Sequence, residues 1–218
     1  MDDLLIELNI ALIPDAALAG KLADASQAMA TKYPAYIQLG HAHARLAMAP
    51  HLTLYQTPIR LKDMEQTDTA LREITEATPA FTLASTSYLY NAGEASFEIG
   101  YETTDALMRL QTQAIDALNP LRSDLLLERD PGGNDPRQAL DAPGALGENL
   151  RTTGYGEVGE LFRPHATLNW FKIGTEIDLS DPALPAATSF SGTYEALGIF
   201  ALGPHGTCPQ LLRQYELA

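Results

Sequence analysis

The chain has 218 residues, of which 45% are hydrophobic, and this is enough to bury a substantial core in one large or two small domains. Its 14 Lys and Arg residues stand against 28 Asp and Glu residues, a formal net charge of −14, whereas a protein that grips long nucleic acid needs a basic track to neutralise phosphates. No apolar run is long enough to cross a bilayer, and the single cysteine, Cys208, excludes an internal disulfide and fits a reducing compartment. We therefore predict a cytoplasmic protein that binds neither long nucleic acid nor a membrane.

The first half of the chain is predicted to alternate strands and helices. Apolar runs, a capping residue at Asp15 and breaks at Pro14 and Pro79 set the boundaries. The predicted elements are a strand over 4–13, a helix from 15 to about 32, a strand over 51–57, a helix over 62–77 and a strand over 81–90. The stretch 33–50 is ambiguous, with partial strand character.

The second half repeats this order. Its predicted elements are a strand over 95–102, a helix from 104 or 105 to 118 that ends at Asn119-Pro120, a strand over 165–173, a weak helical patch over 182–187, and strands over 189–202 and 210–217. A stretch rich in Gly, Pro, Asp and Asn over 130–159 is predicted to be a flexible insertion. The halves, 1–93 and 94–218, thus predict a duplicated β-α-β-α-β unit within a single α+β domain over 1–218, whose two lobes share one body around a central cleft.

Two short segments, one in each half, are near copies of each other: Pro50-His51-Leu52-Thr53-Leu54 and Pro164-His165-Ala166-Thr167-Leu168. Side chains two apart in a strand share a face, so the His and Thr of each motif should lie together while their neighbours are buried behind them. A pseudo-two-fold axis between the two units would bring the motif strands face to face. One pocket would then receive two imidazoles and two hydroxyls.

Two imidazoles in one pocket suit acid–base chemistry on a phosphate ester. Histidine titrates near neutrality, so one ring can take a proton from water while the other donates a proton to the leaving oxygen. Thr53 and Thr167 would donate hydrogen bonds to the non-bridging oxygens, where charge builds up. The near symmetry of the motifs leaves open which histidine is the acid and which is the base.

Strand alternation adds three substrate-binding candidates beside the motifs. Tyr55 continues the face of the first motif and Asn169 that of the second. Arg163, two residues before the second histidine, is the nearest cation to either motif and a candidate phosphate contact. Trp170 is expected to point the other way, into the core.

The two motifs, and the duplicated strand–helix order over nearly the whole chain, resemble the 2H phosphoesterase superfamily, which includes 2′-5′ RNA ligase-like proteins and cyclic nucleotide phosphodiesterases. The resemblance implies a bilobal α+β fold with a cleft between two antiparallel sheets. It also implies a catalytic tetrad of His51, Thr53, His165 and Thr167 that acts on 2′,3′-cyclic phosphates, 2′-5′ linkages or related esters without a metal or other cofactor.

We therefore expect a phosphodiesterase that hydrolyses a cyclic phosphate or a 2′-5′ linkage, with a small nucleotide or an RNA end as its substrate. Two alternatives stay open: a sensor that binds a nucleotide with little turnover, and a 2′-5′ RNA ligase that runs the same chemistry in reverse. The intact tetrad favours the enzyme over the sensor, because binding alone does not need two titrating groups. The acidic charge does not suggest the RNA-holding surface that ligation needs. The oligomeric state is not predicted.

The remaining motifs are weak. His41-Ala42-His43 has a spacing that a metal could use, but no carboxylate or cysteine follows at a suitable distance, so no metal site is predicted. His205 lies in a Gly-Pro turn and is expected to be structural, and Cys208 lacks a neighbouring base. The sequence contains no Gly-rich phosphate loop of the Walker or dinucleotide type.

Overall fold

The computed structural model of the protein describes residues 4–40, 47–182 and 184–218. The first of its two sheets is built around the apolar run near the start of the chain. Its strands are β1 (Leu5–Pro14), β4 (Leu52–Arg60), β5 (Phe81–Leu83), β9 (Gly192–Ala201) and β10 (Gln210–Glu216). They follow the order β10-β9-β1-β4, with β5 also paired to β9, and every pair is antiparallel. The run predicted as the first strand therefore lies in the middle of a sheet, which explains why residues 8–12 are all buried.

The second sheet carries the other motif. Its strands are β2 (Ala35–Leu39), β3 (Ala47–Met48), β6 (Ser85–Asn91), β7 (Ser96–Tyr101) and β8 (His165–Phe171). The order is β3-β2-β8-β7-β6, antiparallel except for the short β2–β3 pair. Each sheet thus contains one motif strand, and the predicted α+β fold with two antiparallel sheets is confirmed.

The chain passes between the two sheets within a segment that was predicted to be one strand. Residues 81–90 divide at Ala84, so that β5 belongs to the first sheet and β6 to the second. Ser85 stabilises the crossing, because its hydroxyl donates to Ala187 O at 2.8 Å. As a result, each sheet combines strands from both halves of the sequence.

Four helices cover the sheets within the described ranges: α1 (Ala16–Lys32), α2 (Met64–Glu76), α3 (Asp105–Arg122) and α4 (Ala145–Thr153). The Asp15 carboxylate accepts the Leu18 N–H at 2.7 Å, as its predicted capping role requires. Helix α1 packs on β2 and β8, whereas α3 packs on β4 and α2. The first helix of each sequence unit therefore covers one motif strand. A 3₁₀ turn, Ala187–Phe190, begins where the weak helical patch was predicted to end.

The end of α3 differs from the prediction. The helix continues through Pro120 to Arg122, although the Asn119-Pro120 pair was predicted to end it. Leu121 is buried, and the Arg122 side chain donates to Asn119 Oδ1 at 2.9 Å and to Leu125 O at 2.5 Å. These contacts stabilise the last turn, and Ser123 then ends the helix in the left-handed conformation.

The segment 130–159 is more structured than a loop-rich composition indicates. It contains α4, and its residues Tyr155 and Val158 belong to the hydrophobic core. Gln111 of α3 anchors it, because its amide donates to Glu157 O at 3.1 Å. The segment packs against the body of the protein and contributes to the pocket described below, while its flexibility stays a prediction.

One hydrophobic cluster extends through both sheets and the helices that cover them. The two motif strands, β4 and β8, contact each other where the sheets meet. Among the described residues, no helix has the length and apolar character needed to span a membrane.

Candidate active site

The two motifs converge on one narrow pocket between the sheets. His51, Thr53, His165 and Thr167 all line it, and its free volume is about 40 Å³. At roughly 10–15 Å³ for each water, that is room for about three waters, close to the size of a phosphoryl group. The spatial expectation drawn from the sequence, two His and Thr pairs in one pocket, is what the structure contains.

Each motif strand has a β-bulge at the leucine that follows the threonine. In β4, Thr53 pairs with Ala11 and Tyr55 with Ile10, which leaves Leu54 without a partner residue. In β8, Thr167 pairs with Glu98 and Asn169 with Phe97, which leaves Leu168 in the same position. A bulge inserts one residue into the ladder and shifts the side-chain alternation beyond it.

The carbonyl of each bulged leucine accepts a hydrogen bond from a buried helix side chain. Gln111 of α3 donates to Leu54 O at 3.0 Å, and Ser26 of α1 donates to Leu168 O at 2.8 Å. Gln111 and Ser26 are 1% and 0% exposed, so neither carbonyl is left unpaired in the core. The two bulges thus occupy corresponding positions in the two motif strands.

The bulges correct two of the predicted substrate contacts. Tyr55 is fully buried, and its hydroxyl donates to Thr153 O at 2.5 Å instead of facing the pocket. Asn169 is also fully buried, and its amide donates to Ser26 O at 3.1 Å. Strict alternation fails for both because the extra leucine turns the following residue toward the core.

The residues one position further take the places predicted for Tyr55 and Asn169. Gln56 and Trp170 line the pocket, although Trp170 was predicted to point into the core. Both are largely enclosed, with exposures of 2% and 3%. Gln56 Oε1 and Trp170 Nε1 have no hydrogen-bond partner among the described residues.

His51 is held as a buried, neutral imidazole. It is 6% exposed, and its Nδ1 donates to Ala49 O at 2.6 Å. The pKa of His51 is lowered to about 4, chiefly by burial and also by the nearby His165, against the raising effects of the Ala49 and Gly206 carbonyls. With hydrogen on Nδ1, the Nε2 lone pair is free to accept a proton.

His165 has a matching anchor but a different electrostatic environment. Its Nδ1 donates to Arg163 O at 2.7 Å, so Nε2 is again the nitrogen available for proton transfer. That Nε2 lies 4.0 Å from Glu98 Oε1, a carboxylate that is 5% exposed and accepts a hydrogen bond from Ser96 Oγ at 2.7 Å. The environments of the two rings therefore differ, because a buried carboxylate lies beside Nε2 of His165.

A buried asparagine orients the first threonine. Asn9 of β1 is fully buried, and its amide donates to Thr53 Oγ1 and to Gly206 O, both at 3.0 Å. Because Thr53 Oγ1 accepts this bond, its own hydrogen is left to donate into the pocket. In the sequence, Asn9 is visible only as a polar residue within an apolar strand.

Replacing Asn9 with leucine is expected to lower kcat/KM for a cyclic phosphate ester by about ten-fold, the value of one net hydrogen bond of about 1.4 kcal/mol. Steady-state kinetics on the purified, folded variant measures this. Asn169→Leu is the matched control, because it also replaces a buried strand asparagine but lies outside the pocket lining. Equal losses of activity in the two variants would contradict the role assigned to Asn9.

The rest of the lining is rich in carboxylates. Glu94, Glu98 and Glu157 line the pocket together with Arg163. The Arg163 guanidinium lies 3.8 Å from Glu157 Oε1, so the predicted phosphate contact also faces an acidic partner. Burial, and next the Glu98 carboxylate, raise the pKa of Glu94. Sequence patterns around the motifs do not indicate these carboxylates, since they come from β7, the hairpin before it and the segment 130–159.

The weaker sequence motifs have separate outcomes. His41 and His43 lie outside the described residues. Cys208 is buried, and burial raises the pKa of its thiol well above the usual value, which disfavours a reactive thiolate. His205 was expected to be structural, yet it lines the pocket. The part of the chain that the structure describes contains no cluster of three or more His, Cys, Asp or Glu residues able to hold a metal.

The fold is similar to those of solved phosphoesterase structures over nearly the whole chain. A protein described as a phosphoesterase is 13% identical, with 98% of each chain covered and a TM-score of 0.59. Escherichia coli LigT in complex with NADP⁺ is 13% identical, with 98% of this chain and 99% of that chain covered and a TM-score of 0.58. TT0787 of Thermus thermophilus is 16% identical, with 97% and 98% covered and a TM-score of 0.59.

No family model matches the sequence, and no curated protein matches it. At these identities the structural likeness establishes the fold. The fold that the resemblance implied, an α+β architecture with two antiparallel sheets, is confirmed.

Proposed function

We propose that this protein is a phosphodiesterase that hydrolyses a cyclic phosphate or a 2′-5′-linked nucleotide by two-histidine acid–base catalysis, without requiring a metal. The observation that carries the proposal is the convergence of His51 and His165 on one pocket, each anchored through Nδ1 to a backbone carbonyl. This anchoring leaves both Nε2 atoms for proton transfer. Similarity in fold to LigT and to a phosphoesterase supports the same class of chemistry.

In the proposed reaction His51 is the base and His165 the acid. His51 Nε2 takes a proton from water as the water oxygen forms a bond to phosphorus. The bond from phosphorus to one ribose oxygen breaks, and that oxygen receives the proton carried by His165 Nε2. Thr53 and Thr167 donate hydrogen bonds to the non-bridging oxygens, where negative charge increases in the transition state. The assignment of His165 as the acid rests on the buried Glu98 carboxylate, whose Oε1 lies 4.0 Å from its Nε2.

The substrate is proposed to be small and to carry one phosphoryl group. Three carboxylates line the pocket, whereas the cation in its lining, Arg163, is close to one of them. Additional phosphates would meet like charge at short range. LigT has been crystallised with ATP and with 3′-AMP, which supports a nucleotide as the substrate. The acidic lining of this chain favours the monophosphate form.

A second cavity offers a place for the remainder of the substrate. Its volume is about 200 Å³, and its lining includes Leu127, Leu146 and Leu150. It shares Tyr155 and Arg163, among others, with the catalytic pocket, so the two cavities lie side by side. A sugar or base attached to the phosphoryl group would extend into this apolar space.

The test is turnover of a panel of esters in the presence of EDTA: 2′,3′-cyclic nucleotides, 3′,5′-cyclic nucleotides, cyclic dinucleotides and 2′-5′ dinucleotides. We expect a 2′,3′-cyclic nucleoside monophosphate to be hydrolysed with EDTA present. We expect kcat/KM for its 5′-phosphorylated analogue to be at least about ten-fold lower, because of the carboxylates. Binding of a nucleotide without turnover of any ester would contradict the proposed enzyme and favour the alternative of a nucleotide sensor.

A further inference from the structure

His205 is the histidine of the pocket that lies outside both motifs. It belongs to the turn between β9 and β10, and its backbone has φ 59° and ψ 29°. A residue with a Cβ rarely adopts this left-handed conformation, which glycine adopts readily. The position therefore carries a large side chain where the backbone favours glycine, a pattern that occurs at functional sites.

The turn that carries His205 is firmly attached to the protein. The Gly203 N–H donates to Thr207 O at 2.9 Å, and Thr207 Oγ1 donates to Pro204 O at 2.8 Å. The Asn9 amide that orients Thr53 also donates to Gly206 O, so the turn and the first motif share one anchor. The imidazole is thus held at a defined place relative to the tetrad.

The His205 ring packs on Trp170, with ring centroids 4.5 Å apart and an interplanar angle of 31°, and both rings line the pocket. Its Nδ1 is enclosed and has no hydrogen-bond partner among the described residues. A buried N–H without a partner is rarer than an unpaired acceptor, so in the neutral ring the hydrogen belongs on Nε2. Nε2–H is then the donor that the ring can offer to a ligand.

The pocket lining carries more negative than positive side chains, so an additional hydrogen-bond donor would help it to bind an anion. A phosphoryl group entering the pocket meets Glu94, Glu98 and Glu157, while Arg163 lies close to Glu157. Additional N–H donors would offset this repulsion, and the wall formed by Trp170 and His205 contains two of them.

We propose that His205 is a third substrate-contacting imidazole, which donates a hydrogen bond from Nε2 to a non-bridging oxygen of the phosphoryl group. This inference rests on the proposed function, because it takes a phosphate ester as the ligand. It assigns to His205 a role in binding rather than in proton transfer. The sequence-based expectation of a purely structural turn residue is the competing explanation.

His205→Gly separates the two explanations. Glycine suits the left-handed backbone, so a purely structural role predicts unchanged activity and unchanged or higher thermal stability. Our proposal predicts that KM for the cyclic phosphate and the inhibition constant of inorganic phosphate both rise about ten-fold, while kcat changes less and the Tm does not fall. His205→Asn tests the ring itself, because asparagine tolerates the same backbone conformation. It should give the same loss of phosphate affinity.

Ser123→Gly is the matched control. Ser123 is also a left-handed, non-glycine residue, with φ 52°, but it is exposed at the end of α3 and absent from the pocket lining. This variant should keep KM and the inhibition constant of the original protein. A His205→Gly protein with unchanged KM and unchanged phosphate inhibition would overturn the proposal.

Direct titration with inorganic phosphate keeps this test independent of the proposed reaction. If the original protein hydrolyses no ester but binds phosphate, and His205→Gly weakens that binding, the contact stands while the hydrolytic function fails. If the original protein binds no phosphate, the contact is refuted together with the phosphoryl site.

Discussion

Replacing His51 or His165 with alanine is expected to lower kcat/KM for a 2′,3′-cyclic phosphate by at least about 100-fold, since general acid–base catalysis by one group contributes about 10²–10⁴-fold. His51→Ala removes the group that accepts the proton of the attacking water, and His165→Ala removes the group that protonates the leaving oxygen. Steady-state assays on both purified variants, with circular dichroism to confirm folding, measure the effect.

The pH dependence identifies which histidine is the base. Because the pKa of His51 is about 4, kcat/KM should increase as the pH rises through about 4 and the ring becomes neutral. An acid limb near pH 4 that survives in His51→Ala would contradict this assignment.

Tyr55→Phe is the control for these variants. Tyr55 lies on the same strand as His51, but its hydroxyl bonds to Thr153 O away from the pocket. Its removal should leave kcat/KM within about two-fold of the original value. Activity within three-fold of the original protein in either histidine variant would refute two-histidine catalysis.

The second large effect is on stability at acid pH. The pKa of His51 is lowered from 6.5 to about 4 in the folded protein, so between these values the unfolded chain binds a proton at His51 that the folded chain does not. The free energy of unfolding therefore decreases as the pH falls through this window. At 1.36 kcal/mol for each pKa unit, the loss by pH 4 is about 3 kcal/mol.

Urea unfolding at pH 7 and pH 4 tests this effect against His51→Asn, in which the amide keeps a donor for the Ala49 carbonyl but does not titrate. Carboxylates contribute similarly in both proteins, so the difference between them isolates the histidine. We expect the original protein to lose about 3 kcal/mol more than the variant between the two pH values. Equal losses would show that His51 is not held as a neutral, buried ring.

The sequence was sufficient to predict the fold class and the meeting of two His and Thr pairs in one pocket. In each motif, the histidine and the threonine are two residues apart and are followed by a leucine. The alternation of side chains along a β-strand is enough to place the histidine and the threonine on the same face. Beyond the threonine this reasoning fails, because the bulges at Leu54 and Leu168 shift the alternation by one residue. Tyr55 and Asn169 are buried for that reason, while Gln56 and Trp170 reach the pocket.

A bulge depends on partners that are distant in the sequence, which is why local patterns do not indicate it. The carbonyl of Leu54 is paired with Gln111 of α3, and that of Leu168 with Ser26 of α1. The acidic lining is unpredictable for the same reason, since Glu98 approaches His165 only through the pairing of β7 with β8. The pocket role of His205 likewise depends on where the turn between β9 and β10 packs.

The exchange of strands between the two sheets affects how the chain can fold. β9 pairs with β1 and β10 in the first sheet, and β8 lies between β2 and β7 in the second. The first sheet cannot complete its hydrogen-bond ladders until β9 and β10, near the end of the chain, have emerged from the ribosome, and the second sheet cannot do so until β8 has emerged. Such non-local pairing slows folding, and the strands that are synthesised first expose unpaired edges until their partner strands are available. During synthesis, this protein should therefore depend on chaperones to keep its N-terminal half from aggregating.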